Sequence, residues 1–361
     1  MNPPYLLVNK SDFSLDFKLD APIPPGEYIV SAEDSYTHAT KMQFQVMTFS
    51  GDVIASLEAE LINEDISYPT IYVNQIQTDS NQLLIEVDGK STKELYAFDL
   101  QTAAAVGIEI TCETLIGTAL GAEYLAFSCL DDLFTWHFVS ISDPLTNYPI
   151  HIPMPNDYFA ATWVGTNEIL FKGQFEAFCL GSIPNWEPIC EDSSYWAGRL
   201  ATDVKLLEIR KGHSSNPTSI GALSIDCLRS DQPSCDPVMI ENPFNDPQRG
   251  IIVPLSSSWV PGTTSILYLV VVDYALSTNA TDETELWLAT YPEGTIAKID
   301  VLEGEFVLAE LGFPDAPAIW LPSGKEVVLN ALNDLVIYNI ETGEQRSIGY
   351  PGKVLGTITI E

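Results

Sequence analysis

The C-terminal part of the chain contains four short apolar runs, and this pattern limits the fold more than any other feature of the sequence. Pro322-Ser323-Gly324 separates the first two runs, and Glu341-Thr342-Gly343 separates the last two. Short apolar runs bounded by Pro, Gly and Ser are typical of β-strands joined by tight turns. The pattern therefore predicts four consecutive antiparallel strands. They cover residues 319–321, 326–329, 335–340 and 345–348.

The same unit recurs along most of the 361-residue chain. The units are about 40 to 60 residues long, which is the period of propeller blades with loop insertions. We therefore expect an all-β protein: a single seven-bladed β-propeller of four-stranded antiparallel blades over residues 11–361, preceded by an N-terminal segment, residues 1–10. The irregular first and fifth units leave six or eight blades as alternatives. The third strand of each unit is predicted to begin at Met42, Glu94, Phe134, Glu176, Ile220, Glu285 and Asp334.

Three details of the strand pattern lead to specific expectations. In the fifth unit, the first strand is predicted near residues 199–202 and the third over residues 220–227. In the sixth unit, the first strand is predicted over residues 257–260. A surplus strand, residues 354–360, is expected to close the ring against the N-terminal blade, because an open propeller would leave bare sheet edges. The sequence does not decide which N-terminal strand it pairs with.

Repeated residues connect the units to one another. Trp163, Trp259 and Trp320 each stand six or seven residues before an apolar pair in the next predicted strand. The stretch that starts at Trp320, Trp-Leu-Pro-Ser-Gly-Lys-Glu-Val-Val-Leu, resembles the TolB-like, WD-repeat-like β-propeller repeat. That family has Ser-Pro-Asp-Gly-Lys at the turn, and here Leu321 and Ser323 replace its Ser and Asp. The resemblance covers most of the chain at the level of the fold, and it implies a propeller without choosing among binding, scaffolding and catalysis.

The charge of the chain restricts its partners. Acidic residues outnumber basic ones 50 to 16, which gives a formal net charge of −34. Such a surface repels nucleic-acid phosphate and favours cations, cationic polymers or a salty milieu. Solubility of an exported protein is the simpler explanation of the charge. The longest apolar run, residues 266–272, is too short for a transmembrane helix.

The six cysteines fall into three local pairs: Cys179–Cys190, Cys227–Cys235 and Cys112–Cys129. The first two pairs flank predicted hairpin turns, where facing cysteines come within disulfide reach. Three disulfides would indicate an oxidising compartment, so we expect an extracellular or periplasmic protein. The N-terminus has no basic and apolar leader, so we expect that a signal peptide was removed or never existed. Buried free thiols are the alternative interpretation.

A candidate binding site is predicted on the links between successive blades, which pair acids with aromatic residues. These links should converge around the mouth of the central channel. Carboxylates suit Ca²⁺, the candidate cofactor, while acids beside aromatic rings suit sugars or cationic side chains. Alternatively, the acids cap turns and the aromatic rings wedge between blades. The candidate residues are Asp65, Asp157, Tyr158, Asp192, Tyr195, Trp196, Asp246, Arg249 and Asp315, with Asp157, Asp192, Asp246 and Asp315 as the metal ligands.

Catalytic signals are weak. The sequence lacks a Gly-x-Ser-x-Gly nucleophile elbow, and His38, His137, His151 and His213 are expected on different blades without metal spacing. We therefore predict a secreted, non-enzymatic binding or scaffold module for a protein or polysaccharide partner, with assembly of several copies left open. The competing prediction is a carbohydrate-active enzyme such as a metal-assisted polysaccharide lyase.

Overall fold

A computed structural model describes most of the chain, in two compact units. Unit 1 comprises Met1–Phe171, Ser182–Trp186 and Tyr350–Glu361, and unit 2 comprises Lys172–Gly181 and Glu187–Gly349. The described residues are 5–7, 15–32, 36–37, 40–62, 70–77, 81–88, 93–110, 114–129, 135–143, 146–151, 158–173, 177–192, 195–201, 203, 205–212, 217–228, 237–243, 251–273, 283–302, 318–331, 334–349 and 352–361.

Almost all regular structure in these residues is β-strand. The first sixteen strands are β1 (Tyr5–Leu7), β2 (Leu15–Leu19), β3 (Gly26–Ala32), β4 (Tyr36–Thr37), β5 (Lys41–Met47), β6 (Val53–Leu61), β7 (Thr70–Gln77), β8 (Gln82–Asp88), β9 (Lys93–Asp99), β10 (Ala104–Ile110), β11 (Leu115–Leu120), β12 (Tyr124–Cys129), β13 (Thr135–Ser140), β14 (Asn147–His151), β15 (Tyr158–Trp163) and β16 (Glu168–Gly173).

The remaining elements include one four-residue helix, α1. They are β17 (Ala177–Ser182), β18 (Ile189–Asp192), β19 (Tyr195–Ala201), β20 (Leu206–Gly212), β21 (Pro217–Ser224), α1 (Ile225–Leu228), β22 (Val238–Glu241), β23 (Ile251–Trp259), β24 (Ser265–Asp273), β25 (Glu283–Thr290), β26 (Thr295–Leu302), β27 (Ala318–Trp320), β28 (Glu326–Ala331), β29 (Asp334–Asn339), β30 (Gln345–Ser347) and β31 (Lys353–Ile360).

These strands form seven antiparallel sheets, which confirms the predicted seven-bladed, all-β propeller. Blades three to seven each have four strands in sequence order: β11–β14, β15–β18, β19–β22, β23–β26 and β27–β30. The first strands of neighbouring blades contact one another within each unit, as β7, β11 and β15 do in unit 1 and β19, β23 and β27 do in unit 2. These first strands are therefore the inner strands of the blades.

Blade one is assembled from both ends of the chain. Its strand order is β2-β6-β5-β3-β31, so the last strand pairs with β3, in register from Gly26↔Ile360 to Ala32↔Lys353. Most side chains of β3 and β31 are buried, and β31 also contacts β7 of blade two. The expected pairing of the terminal strand with the N-terminal blade is confirmed, and its partner is β3.

Blade two carries an extra strand on each edge. Its order is β1-β10-β9-β8-β7-β4. The short strand β4 belongs to the connection between β3 and β5 of blade one, and it pairs with β7 through Tyr36↔Tyr72 and Thr37↔Ile71. The inner edge of β7 is therefore partly covered by this chain's own backbone.

Three predicted strand limits are wrong, each for a local reason. The first strand of blade five starts at Tyr195 rather than near residue 199, and a register shift between Ala197 and Leu200 interrupts the alternation that would have revealed it. The first strand of blade six starts at Ile251, and a register shift follows its Pro254, which lacks a backbone donor. The predicted strand over residues 220–227 ends at Ser224, where α1 begins.

The repeated tryptophans pack between blades. Each ends an inner strand and is buried. Trp163 stacks on Tyr124 of blade three with ring centroids 5.9 Å apart, and a Cβ on Gly121 would lie 2.6 Å from the Trp163 ring. Glycine at position 121 is therefore what lets the ring approach so closely. Trp320 packs in one cluster with Leu267 and other apolar residues of blade six.

One predicted disulfide is confirmed. Cys179 and Cys190 stand directly opposite each other on β17 and β18 and are bonded. Within the described residues no cysteine is free, because Cys129 and Cys227 also carry disulfide bonds. Their expected partners, Cys112 and Cys235, lie outside the described residues, so those two pairings stay predictions.

Candidate functional site

The predicted site at the blade-to-blade links lies largely outside the described residues: this holds for Asp65, Asp157, Asp246, Arg249 and Asp315. The other four candidates are placed through their backbone. Tyr158 opens the inner strand β15, Asp192 ends β18, and Tyr195 and Trp196 open the inner strand β19. These four residues therefore lie at strand ends, and the convergence of the candidate residues stays a prediction.

A fully buried carboxylate and a partly exposed guanidinium lie between blades five and six. Glu208 of β20 is fully buried and accepts a hydrogen bond from Arg210 Nε at 2.8 Å. The hydroxyl of Ser257, on the inner strand of blade six, donates to the other Glu208 oxygen, and Arg210 Nη2 lies 3.4 Å from the same hydroxyl. Both oxygens of the carboxylate are thus satisfied, and the cluster ties two blades together.

The environment of this cluster shifts the pKa values of the groups around it. Burial acts to lower the pKa of Arg210, but the charge of Glu208 and its hydrogen bond outweigh burial, and the pKa is raised. Burial, followed by the charge of Glu208, raises the pKa of Tyr268 well above its usual range. Burial also raises the pKa of Tyr291. At neutral pH the cluster is one ion pair, between the buried Glu208 and the partly exposed Arg210, surrounded by neutral phenols, an arrangement suited to structural support.

A second set of buried acids lies near the start of the third strand of two blades. In blade six, Glu285 accepts hydrogen bonds from Trp287 Nε1 at 2.8 Å and from Lys298 Nζ at 3.1 Å. In blade two, Glu94 is buried and accepts from the Tyr96 hydroxyl. The acid and the aromatic residue two positions later share one face of the strand in both blades. This pairing explains why Glu-x-aromatic recurs in the sequence at these positions.

Many cations of the described residues are already paired with acids. The pairs on the surface are well exposed, and in one of them a hydrogen bond to Glu60 raises the pKa of Lys18. Because acids exceed bases 50 to 16 in the whole chain, pairing of this kind leaves a large excess of negative charge. The paired cations are Lys18, Lys41, Lys205, Arg210, Lys298, Lys325 and Arg346.

Two of the four histidines lie in described residues, and both belong to blade three. His137 is on β13 and His151 ends β14, so the expectation that the histidines lie on different blades is wrong for this pair. His137 is buried, stacks on Phe127 with centroids 5.0 Å apart, and lies 3.4 Å from Asn147 Nδ2 through its Nδ1. Neither histidine stands on the inner strand of its blade.

Within the described ranges, no group of three or more His, Cys, Asp or Glu side chains is arranged to hold a metal ion. Three of the four predicted Ca²⁺ ligands, Asp157, Asp246 and Asp315, lie outside those ranges. No helix in the described part of the chain is long and apolar enough to cross a membrane.

Comparison with known proteins yields fold-level similarity. No protein-family model and no curated protein matches the sequence. A functionally unknown protein from Desulfotomaculum acetoxidans superimposes with a TM-score of 0.55 at 13% identity, over 92% of this chain and 99% of that one. The β-propeller domain of Cps50 (Swd1) from Myceliophteria thermophila gives 0.47 at 10% identity, over 80% and 87%. Dihydro-heme d1 dehydrogenase NirN gives 0.48 at 11% identity, over 95% and 80%. At these identities the likeness concerns the propeller fold alone.

Sequence reasoning did not single out the buried ion pair of blade five. Glu208 and Arg210 alternate with apolar residues inside β20, and such alternation is also the normal pattern of a half-exposed strand. Ser257, which completes the cluster, is 49 residues from Glu208. The pattern of a single strand therefore could not distinguish a solvated charge pair from a buried one.

Proposed function

We propose that this protein is an exported, non-enzymatic β-propeller that binds a protein or polysaccharide partner. The observation that carries the proposal is the use of its buried polar groups. The Glu208, Glu285 and Glu94 carboxylates all accept hydrogen bonds from side chains on their own or a neighbouring strand. These buried carboxylates support the blades. The blades therefore form a rigid frame, and the loops and sheet edges are the parts available to bind a partner.

The charge of the surface defines the kind of partner. The net charge is −34, and the described cations are largely committed to acids of the same chain. Long-range attraction will therefore favour a partner with a cationic surface and disfavour nucleic acids and anionic polymers. The export part of the proposal is supported by the Cys179–Cys190 disulfide, since such bonds persist in oxidising compartments.

The competing function, a metal-assisted polysaccharide lyase, has less support. A lyase built on this fold would bring histidines from several blades to one metal, whereas His137 and His151 share blade three. The ring of His137 is held between Phe127 and Asn147, which is the environment of a structural side chain.

We also propose a Ca²⁺ site formed by Asp157, Asp192, Asp246 and Asp315. Clustered carboxylates repel one another, and a divalent cation is the simplest means to offset that repulsion outside the cell. At a tenfold excess over Kd, binding to the folded state alone would add about 1.4 kcal/mol of stability. Melting should therefore rise with millimolar CaCl₂ much more than with NaCl of equal ionic strength. The Asp157→Asn, Asp246→Asn double variant should lose the difference, and an equal response of the unchanged protein to both salts would refute the site.

A panel of immobilised polymers tests the proposed function. We expect retention on polylysine and chitosan, little retention on polyglutamate and DNA, and retention that weakens as NaCl is raised. The soluble forms of neutral and acidic polysaccharides should remain intact during long incubation, with and without divalent metal. Release of unsaturated sugar products would support the lyase instead, and equal retention on cationic and anionic polymers would contradict the expected partner class.

A further inference from the structure

Two half-buried tyrosines lie at the end of blade three that carries its β11–β12 and β13–β14 turns. Tyr124 opens β12 and Tyr148 lies on β14, with ring centroids 6.0 Å apart and ring planes inclined by 74°. Trp163 of blade four stacks on the Tyr124 ring with planes only 14° apart. The two tyrosines, which we call the aromatic corner, therefore present two steeply inclined, partly exposed rings above a buried tryptophan.

Two exposed acids lie in the same two turns. Glu123 directly precedes Tyr124, and its carbonyl accepts a hydrogen bond from the Ile141 amide at 2.9 Å, which holds the turns side by side. Asp143 stands in the second turn, where its carboxylate accepts a hydrogen bond from the Thr146 hydroxyl at 2.6 Å. Within the described residues neither acid forms an ion pair. The aromatic corner is therefore flanked by carboxylates that no cation of the described chain neutralises.

The sequence of this region lacks basic residues. No Lys or Arg occurs between Lys93 and Lys172, which is the longest such interval of the chain and includes all of blade three, although acids occur throughout it. Burial raises the pKa of the Tyr124 hydroxyl, and Tyr148 and Glu123 raise it further, so these polar groups lie within electrostatic range of one another. The charge around the aromatic corner is therefore complementary to a cationic group.

The tryptophan beneath the corner has an unused donor. Trp163 is 4% exposed, and its Nε1 has no hydrogen-bond acceptor among the described residues. A Cβ built on Gly121 would lie 2.8 Å from this nitrogen, so the donor stands against the turn that carries Glu123. Buried donors are usually paired in folded proteins. The base of the corner therefore has hydrogen-bonding capacity that the described chain does not use.

We propose that the aromatic corner of Tyr124 and Tyr148 binds a lysine side chain of a protein partner. An ammonium group within about 6 Å of a ring centroid is attracted by the ring, and Glu123 supplies the opposite charge. A sugar ring stacks on a flat, open aromatic face, whereas Trp163 covers one face of Tyr124 and the two tyrosine rings are steeply inclined to each other. This inference rests on the proposed function, a partner with a cationic surface, and it adds the place and the residue type of the contact.

The test titrates the full-length protein into a fluorescein-labelled peptide, Gly-Lys-Gly-Lys-Gly-Lys-Gly, in low salt and follows the anisotropy. The matched peptide has acetyl-lysine at the same positions and so lacks the charge. We expect the lysine peptide to bind saturably and the acetylated peptide not to bind. Tyr148→Leu removes one ring and keeps every charge, and Glu123→Gln removes one charge and keeps both rings. Each variant should bind about two- to fivefold more weakly, the usual contribution of one exposed cation–π contact or ion pair.

Two control variants identify the site. Tyr148→Phe keeps the ring, and Glu344→Gln removes an exposed charge from blade seven; both should bind the lysine peptide as tightly as the parent. Thermal melting shows whether Tyr148→Leu is folded, and if it is not, the comparison of Glu123→Gln with Glu344→Gln decides. Equal weakening by these two charge variants would mean general attraction to an acidic protein and would overturn the proposal. Parent-like affinity of a folded Tyr148→Leu variant would also overturn it.

Glucosamine oligomers of equal charge test the other class of partner. If they bind more tightly than the lysine peptide and lose that affinity in Tyr148→Leu, the corner belongs to an aminopolysaccharide and the proposal is overturned. In each of these failures the cationic partner class still stands. That class fails only if the polymer panel shows no preference for cationic polymers, so the two results can be told apart.

Discussion

Blade one and blade seven are built from similar strands but by opposite routes. Blade seven is continuous in sequence, from Ala318 to Ser347, and each strand pairs with the next one along the chain. Blade one needs β31, whose partner β3 lies more than 300 residues earlier. The first route depends on local turns such as Gly324 and Gly343, both with positive φ. The second depends on contacts that form only when distant parts of the chain meet, so we expect blade one to carry the larger share of cooperativity.

Removal of residues 353–361 should produce the largest effect. It takes away three buried apolar side chains, Val354, Ile358 and Ile360, each of which contributes about 1.5–3 kcal/mol when buried. The sum is comparable to the whole stability of a typical domain, about 5–15 kcal/mol. Thermal unfolding followed by circular dichroism should lose its cooperative transition. Arg346→Ala in the exposed strand β30 is the control and should melt close to the parent. A truncated chain that melts as cooperatively as the parent would contradict the role given to β31.

Two ion pairs allow a comparison between contacts that join two blades and contacts within one blade. Glu208→Ala leaves Arg210, whose side chain is 18% exposed, without its carboxylate. Loss of one partner of a fully buried pair costs about 3–5 kcal/mol, and we expect a loss near the lower end of that range because water reaches Arg210 in part. Glu341→Ala removes the exposed pair with Lys325 inside blade seven, and exposed pairs contribute about 0.2–1 kcal/mol. Urea denaturation of both variants measures the difference. Equal losses would show that the Glu208 cluster does not tie blades five and six.

Two asparagines make a matched pair of smaller tests. Asn81 donates to the Thr359 carbonyl at 2.7 Å and accepts from the Thr359 amide at 3.2 Å, across 278 residues. Asn339 accepts from the amides of Glu341 and Thr342 at 3.0 Å, within a turn of blade seven.

Replacement of either asparagine by Ala removes two hydrogen bonds, worth about 1–3 kcal/mol together. Asn81→Ala also places Ala at a φ of 54°, so Asn81→Gly is the control that separates backbone strain from lost hydrogen bonds. We expect both Asn81 variants to speed amide exchange in β31 and Asn339→Ala to leave it unchanged. Faster exchange in β31 after the Asn339 change would remove the distinction between local and long-range ties.

The fold was readable from the sequence where structure is local. Alternating apolar residues and Gly-containing turns predicted the four strands of blade seven, and Cys179 and Cys190 predicted their own disulfide because a hairpin places them opposite each other. The partner of β31 was not readable, since β3 is one of several apolar N-terminal strands and nothing local selects it. The added strand β1 was missed for the same reason. Tyr5–Leu7 is only three residues long, and it is a strand because its backbone pairs with β10.

The polar residues also divide into those that the sequence pattern revealed and those that it did not. Repetition of Glu-x-aromatic at Glu94 and Glu285 was visible, but its meaning was not, because burial depends on the neighbouring blade. The cluster of Glu208, Arg210 and Ser257 joins two blades that no sequence pattern links. The candidate binding site was predicted from the acidic and aromatic residues of the blade-to-blade links. The presence of acids in several links does not by itself bring their carboxylates together.

Amide hydrogen exchange of β31, read by mass spectrometry on peptides covering residues 353–360, tests the central claim most directly. If this strand is an integral inner part of blade one, its amides should exchange as slowly as those of residues 26–32 and much more slowly than those of residues 345–347 in the outer strand β30. Exchange of residues 353–360 at the rate of β30 would mean that the last strand is a loose appendage, and the account of how both chain ends build blade one would be wrong.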